Sequence, residues 1–212
     1  WTELLGRLGV MADPSQQNIL IIGGGIGGLT LALALHARGI KCSIFEAASK
    51  FEPLGVGINM LPHAIKVLSK LNLETELYRY GVEAQEFAYF NRHGQVIITE
   101  PCGKFAGYDY PHFSIHRGDL HKVLYDAVID RMGPNSIYFN HSCSGFTQND
   151  RTVKAIFENT ESHTGSVVIA ADGFHSNIRK SLYPHESEPH FGGINMWRGV
   201  TIQKPFLTGA SV

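Results

Sequence analysis

Hydrophobic positions along the chain change period several times, and each change marks an element. Ile19-Leu20-Ile21-Ile22 is a continuous apolar run, rich in β-branched residues, that reads as a buried strand. The segment Gly23-Gly24-Gly25-Ile26-Gly27-Gly28 interrupts it, an apolar helical stretch follows, and a short second strand ends in Glu46. Ile19 to Ala37 hold no Asp, Glu, Lys or Arg and are long enough to cross a bilayer. The clustered glycines nevertheless suit a turn far better than a helix interior. Asp13 and Pro14 ahead of the run, with no small-residue cleavage pattern after it, argue against a signal peptide. A soluble chain is expected.

Further along, Phe51 to Asn59 (FEPLGVGIN) is punctuated by glycine and reads as an irregular loop. Pro62 suits the first turn of a helix with an apolar stripe at Ile65, Leu68 and Leu71. A second short helix covers Glu74 to Tyr80 and stops at Gly81. The period becomes two over Phe87 to Phe90 and Val96 to Thr99, a hairpin within residues 86–99. A strand at Phe113 to His116 leads into Arg117 and a helix from Gly118 to about Met132, with Leu120, Val123, Leu124, Ala127 and Val128 on one face. Short strands are expected at Ile137–Asn140, Gly145–Thr147 and Val153–Phe157. Val167 to Ala171 reads as a buried strand running into Asp172-Gly173, with a helix starting near Ser176. A last strand is expected at Met196 to Ile202. Trp1 to Val10 carry no assigned function, and residues 1–17 read as an N-terminal extension.

The opening strand, glycine turn, helix and second strand form the first half of a doubly wound nucleotide-binding unit. Gly23 permits the turn, Gly25 lets main chain approach a pyrophosphate, and Gly28 lets the helix pack close on the sheet. With Gly27 they place the amides of the helix start, and the positive end of its dipole, toward the phosphates. Glu46, 18 residues after Gly28, stands where a carboxylate accepts hydrogen bonds from both ribose hydroxyls of an adenosine. An acid there disfavours a 2′-phosphate, so NADP at this site is not expected, while FAD and NAD both fit.

Composition narrows the partners. The chain has 212 residues and 43% hydrophobic content, room for one large domain or one and a half smaller ones. A formal charge of -1 gives no electrostatic footprint for nucleic acid or an anionic membrane, leaving small molecules. Cys42, Cys102 and Cys143 are odd in number and widely spaced, which points to a reducing, cytoplasmic setting rather than a disulfide scaffold. No HExxH occurs among the 11 histidines, and His112, His116 and His121 mix strand with helix, so no metal site is expected.

A second junction repeats the geometry of the first. Ala170-Ala171-Asp172-Gly173-Phe174-His175-Ser176-Asn177-Ile178-Arg179 reads as strand, sharp turn and helix start, with Asp172 at the carboxyl end where such sheets bind ligands. The plainer alternative is a turn made by Asp172 and Gly173 with Ser176 as helix cap.

Taken in order, GGGIGG with Glu46, Arg117 in SIHRGDL, and ADGFHSNIR resemble the FAD-dependent aromatic hydroxylases of the para-hydroxybenzoate hydroxylase type. PLGVGINMLPHA (53–64), SIHRGDL (114–120) and GGINMWRGV (192–200) look most like the phenazine-modifying members and their relatives. The resemblance spans about Asn18 to Gly209 and implies an α/β fold. Residues 18–184 would form a Rossmann-like FAD-binding domain with a mixed, mainly parallel sheet and an inserted hairpin, and 185–212 the start of a β-sheet substrate domain. It implies FAD as cofactor, with Gly23, Gly25, Gly27 and Gly28 at the pyrophosphate, Glu46 at the ribose, Arg117 on the flavin side, and Asp172 near both FAD and the pyridine nucleotide. The family's later Gly-Asp motif has no counterpart after Gly173, and Ile58 stands where an arginine is often found. The chain therefore looks like an N-terminal half.

The implied activity is hydroxylation of a phenazine-type or phenolic aromatic, with NADPH or NADH as transient reductant, O2 as oxygen source, and a homodimer compatible with the reading. No residue stands out as a general base; His63, Tyr110, His116 and Arg198 are pocket-lining candidates at most. The alternatives are a non-catalytic FAD- or ADP-binding fragment and an NAD-dependent dehydrogenase, which leaves Asp172 without a role.

Overall fold

The structure, a computed structural model, describes residues 18–202, 204, 205 and 207–212, so the extension read at 1–17 lies outside the described residues. In chain order the elements are β1 (Asn18–Ile22), α1 (Ile26–His36), β2 (Lys41–Phe45), β3 (Gly57–Met60), α2 (Pro62–Lys70), α3 (Glu74–Tyr80), β4 (Val82–Ala84), β5 (Glu86–Phe90) and β6 (Val96–Pro101). They continue with β7 (His112–His116), α4 (Arg117–Met132), β8 (Ile137–Tyr138), β9 (Cys143–Gln148), β10 (Val153–Phe157), β11 (Ser162–Gly165), β12 (Val167–Ala170) and α5 (Asn177–Leu182). The described residues divide into two compact units, one of 18–51 with 125–188 and the other of 52–124 with the described part of 189–212. Compactness groups residues by contact, whereas the sequence boundary at 184/185 follows motif order.

In the first unit, four parallel strands form a sheet in the order β12-β1-β2-β8. β1 is central, and Ile19 to Ile22 are all buried because both faces of a parallel sheet are covered. α1 makes the crossover from β1 to β2. It packs through Gly28, Leu29, Ala32 and Leu33, so what could have been a membrane-length apolar run is a strand, a turn and an 11-residue helix. No helix among the described residues is long and apolar enough to cross a membrane. The strand expected to be buried at Val167–Ala171 is instead an edge: β12 pairs only with β1 and leaves Val167 37% exposed.

Against this sheet lies an antiparallel one, β11-β10-β9. The two share a core of Leu20, Ile22, Phe45, Cys143, Ala155, Phe157 and Ile178. Phe45 is its hub, stacked on Phe157 at 4.9 Å and on Tyr138 at 5.0 Å between ring centroids.

The second unit contains an antiparallel sheet β3-β7-β4 and the helices α2 and α3. The stripe Ile65, Leu68 and Leu71 is buried as the helical period requires, and α3 ends at Gly81. The expected loop at 51–59 is partly wrong. Gly57 to Met60 become β3, because they pair with β7 in register from Gly57↔His116 to Met60↔Phe113. The strand expected at Met196–Ile202 does not form; these residues pair with no strand among the described residues, and Trp197 is 97% exposed. β5 and β6 form a separate two-stranded ribbon. Tyr89, Val96, Ile97 and Ile98 on it are all exposed.

Two outcomes test this packing. A Cβ on Gly28 would lie 1.9 Å from the Gly23 carbonyl oxygen, main chain that cannot swing aside. Gly28→Ala should therefore cost at least about 1–3 kcal/mol of unfolding free energy in urea. Burial beneath α1 raises the Cys42 thiol from its ordinary 9.0 to about 11. A raised folded value favours the folded state below the unfolded value, and that contribution is lost as pH rises from 9.0 through about 11. Cys42→Ala should accordingly show a shallower loss of urea stability than the parent over that window.

Candidate functional site

The carboxyl ends of β1, β2 and β12 meet at a cleft of about 370 Å³ lined by Gly23, Gly25, Glu46, His141, Asp172 and Asn177, among others. This volume lies in the range of small-molecule sites. The position, outside the carboxyl ends of parallel strands, is where doubly wound sheets bind ligands.

The glycine turn builds one wall. Gly23 holds φ +109°, and a Cβ on it would sit 2.3 Å from the Ala171 carbonyl oxygen, so the turn passes directly over the end of β12. Gly23 N–H donates to Phe45 O at 2.8 Å, tying the same turn to β2. At Gly25 and Gly27 an added Cβ would meet nothing within 4 Å. Gly25 is the N-cap of α1 and offers no side-chain cap, and the helix's first internal bond runs from Leu29 N to Gly25 O. Its first-turn amides are thus left for a ligand or water, with the positive end of the helix dipole behind them.

Glu46 forms the second wall. Its Oε2 accepts from Gly24 N at 2.7 Å and its Oε1 from Ala48 N at 2.9 Å. The main chain on either side of the acid is fixed by Glu46 N donating to Tyr138 O and His141 N donating to Glu46 O, both at 2.8 Å. A carboxylate has about four acceptor sites. With two taken by amides, the remainder can still accept from hydroxyls.

Asp172 forms the third. It is half-buried at the end of β12, and Gly173, at φ +78°, makes the turn beyond it. Asp172 Oδ2 accepts from Asn177 N at 3.1 Å, and Asn177 Nδ2 donates to Cys143 O at 3.0 Å. Ser176 caps α5 by accepting from Arg179 N at 2.9 Å. The acid thus lines the cleft and also accepts from the first amide of α5, which Ser176 caps. The Cys143 thiol in the same wall is pushed up by burial, against a hydrogen bond to Gly145 O, with the Asp172 charge adding to the rise. A thiol held protonated is a poor nucleophile, and the part Cys143 plays in the wall is its carbonyl bond to Asn177.

Arg117 belongs to the second unit, where its Nη1 donates to Leu54 O at 3.1 Å and its amide to Val56 O at 2.8 Å. His116 Nε2 donates to Gly55 O at 2.8 Å. Arg198 Nη2 donates to Gly57 O at 2.6 Å. These residues pin the PLGVG loop, a structural task visible only once the chain is folded. Phe45, His141, Cys143 and Asn177 line the cleft without having been singled out in the sequence. Asn177 sits within the ADGFHSN stretch, but His141 and Cys143 follow β8 in a segment with no motif at all.

A parallel sheet with a glycine turn, an uncapped helix start and an acid at the end of the second strand defines a dinucleotide-binding α/β unit. The chain belongs to the FAD binding domain family, whose profile matches residues 16–208. It is 38% identical over 210 residues to a phenazine 1,6-dicarboxylic acid hydroxylase, PhzS, of Lysobacter antibioticus, covering 95% of this chain and 51% of that protein. It is 34% identical over 183 residues to the aurachin C monooxygenase/isomerase of Stigmatella aurantiaca, covering 86% and 46%. Among solved structures, Klebsiella pneumoniae HpxO complexed with FAD and uric acid superimposes with a TM-score of 0.69 at 25% identity, over 81% of this chain and 43% of that one. The chain spans about half the length of the curated relatives it matches.

Proposed function

We propose that this chain supplies the FAD-binding part of a flavin-dependent monooxygenase that hydroxylates a planar aromatic, of phenazine or phenolic type, using NADH or NADPH and O2. The observation that carries the reading is the three-walled cleft: open amides at the start of α1, the Glu46 carboxylate, and Asp172 across from them. Support for the substrate class comes from relatives named as a phenazine hydroxylase and as 6-hydroxynicotinate 3-monooxygenase of Pseudomonas fluorescens, the latter 28% identical over 190 residues.

The residues present fit FAD. The space beside Gly25 and Gly27, which any Cβ would occupy, takes the pyrophosphate against the amides of the helix start. Glu46 orients the adenosine ribose through its free acceptor sites, and the amides of Gly24 and Ala48 hold that carboxylate in place. Asp172, fixed by Asn177 N–H, sets the side of the cleft facing the rest of the cofactor. Arg117 is assigned to the flavin side. When bound, FAD supplies the redox chemistry, carrying electrons from the nicotinamide and oxygen to the ring. The protein's own share is binding, orientation and exclusion of water. A reducing, cytoplasmic setting fits the widely spaced free cysteines.

The chain should purify yellow or turn yellow on incubation with FAD. Glu46→Ala should weaken FAD binding by roughly tenfold to a hundredfold, the worth of hydrogen bonds to a charged acceptor. Fluorescence titration checks this, and unchanged affinity would remove Glu46 from the site. Gly25→Val separates binding from folding: its side chain enters open space, so urea stability should fall by no more than about 1 kcal/mol, the N-cap preference for glycine over valine, while FAD binding is lost. Incubation with FAD, NADPH and candidate aromatics then asks whether the chain turns over alone, read as product above the free-flavin background.

A further inference from the structure

Beside the cleft, three side chains from separate segments converge. His141 follows β8, Glu161 lies in the turn between β10 and β11, and His163 is on β11 opposite Ala155. His141 Nε2 is 3.2 Å from Glu161 Oε2, His163 Nε2 is 3.7 Å from the same oxygen, and the three ligand atoms all lie within 4.8 Å of one another. Glu161 and His163 are two apart, so the strand period puts them on one face. His141 is 7% exposed and lies in the ring cluster around Phe45, while the His163 ring packs on Phe45 at 4.7 Å.

Protonation of His141 is constrained by chemistry. Its Nδ1 is 2.7 Å from Phe139 O, and a carbonyl only accepts, so Nδ1 carries the proton. That leaves Nε2 of the neutral ring as a lone pair aimed at a carboxylate, which is itself only an acceptor. Two acceptors at 3.2 Å need something positive between them. A main-chain carbonyl on Nδ1 with Nε2 presented outward is also the arrangement of a metal-bound histidine.

We propose that His141, Glu161 and His163 bind one divalent transition-metal ion, Zn2+ being the one the donors suit. Two imidazoles and a carboxylate are an established zinc donor set, with a fourth position left for water. Bonds of 2.0–2.2 Å in a tetrahedron separate ligand atoms by about 3.4 Å. The observed 3.2 and 3.7 Å to Glu161 lie close to this, and the two imidazole nitrogens, within 4.8 Å of each other, draw together by rotation of the side chains. The ion joins the β10–β11 hairpin to the segment whose His141 amide holds the Glu46 carbonyl. It thus braces the strand end that carries the acid; His141 also lines the cleft, whereas Glu161 and His163 do not.

Titrating the metal-free chain with Co2+, read by the visible absorption of tetrahedral cobalt, and displacing it with Zn2+ tests the site without reference to FAD. One equivalent per chain is expected. His163→Ala and Glu161→Gln should each weaken binding by at least about tenfold, the loss that even an outer partner of a metal ligand brings. Glu161 is 59% exposed at its side chain, so its substitution leaves the fold intact, and an unchanged circular dichroism spectrum verifies that. His93→Ala, in the exposed β5–β6 turn, should bind like the parent. Absence of stoichiometric binding, or equal affinity in the parent, His163→Ala and Glu161→Gln, overturns the proposal and leaves a protonated His141 paired with Glu161. FAD affinity measured in the same variants fails or holds independently.

Discussion

Glu46 reaches back over 22 residues to the amide of Gly24, and the architecture of the cleft depends on that bond. The glycine turn has no side chains with which to brace itself, and its flexibility is what lets main chain line a ligand site. Its rigidity has to come from outside. Glu46 supplies it at Gly24, Phe45 O supplies it at Gly23, and the carbonyl of Ala171 closes over the turn from the third strand. One carboxylate thus holds the Gly24 amide of the turn in place and keeps acceptor sites open toward the cleft. A neutral or shorter residue at 46 would leave a correct backbone trace that no longer has a fixed shape at the point of contact.

The layers beneath explain why Glu46 can serve in this way. Phe45, next to it, is 1% exposed and stacked between Tyr138 and Phe157, so the end of β2 is anchored in the best-packed part of the first unit. Packing of this kind fixes backbone position to a fraction of an ångström. The polar surface of the cleft inherits that precision from apolar residues that never meet the ligand. Cys143 shows the same division of labour, contributing a protonated, unreactive sulfur to the wall and a carbonyl that steadies Asn177.

How much of this was legible in the sequence follows from where each signal lies. The strand, turn, helix and strand of residues 18–46 are read from local pattern, because each glycine's task is set by neighbours close in sequence. The stripe at Ile65, Leu68 and Leu71 and the stop at Gly81 are likewise local. β3 was not legible, since Gly57-Ile58-Asn59-Met60 is extended only because β7 pairs with it. The converse error at Met196–Ile202 has the same origin: alternating apolar residues make a strand only where another strand receives their hydrogen bonds. In the site, Glu46 and Asp172 were visible as acids at strand ends, whereas His141 meets the sequence neighbours Glu161 and His163 only through the folding of two sheets onto each other. No spacing rule encodes that meeting, and the absence of HExxH says nothing about it.

The ribbon of β5 and β6 carries a consequence of its own. It turns Tyr89, Val96, Ile97 and Ile98 outward, while β5 pairs with β6 on one edge and with residues 210–212 on the other, through Gln85 N to Ala210 O, Ala88 N to Val212 O and Val212 N to Glu86 O. Exposed apolar side chains clustered on a ribbon of this kind promote adhesion. The ribbon and the still more exposed Ile194, Met196 and Trp197 therefore weigh on the colloidal behaviour of the polypeptide alongside its near-zero charge. Salts that strengthen apolar burial favour clustering through such side chains, and dilution opposes it.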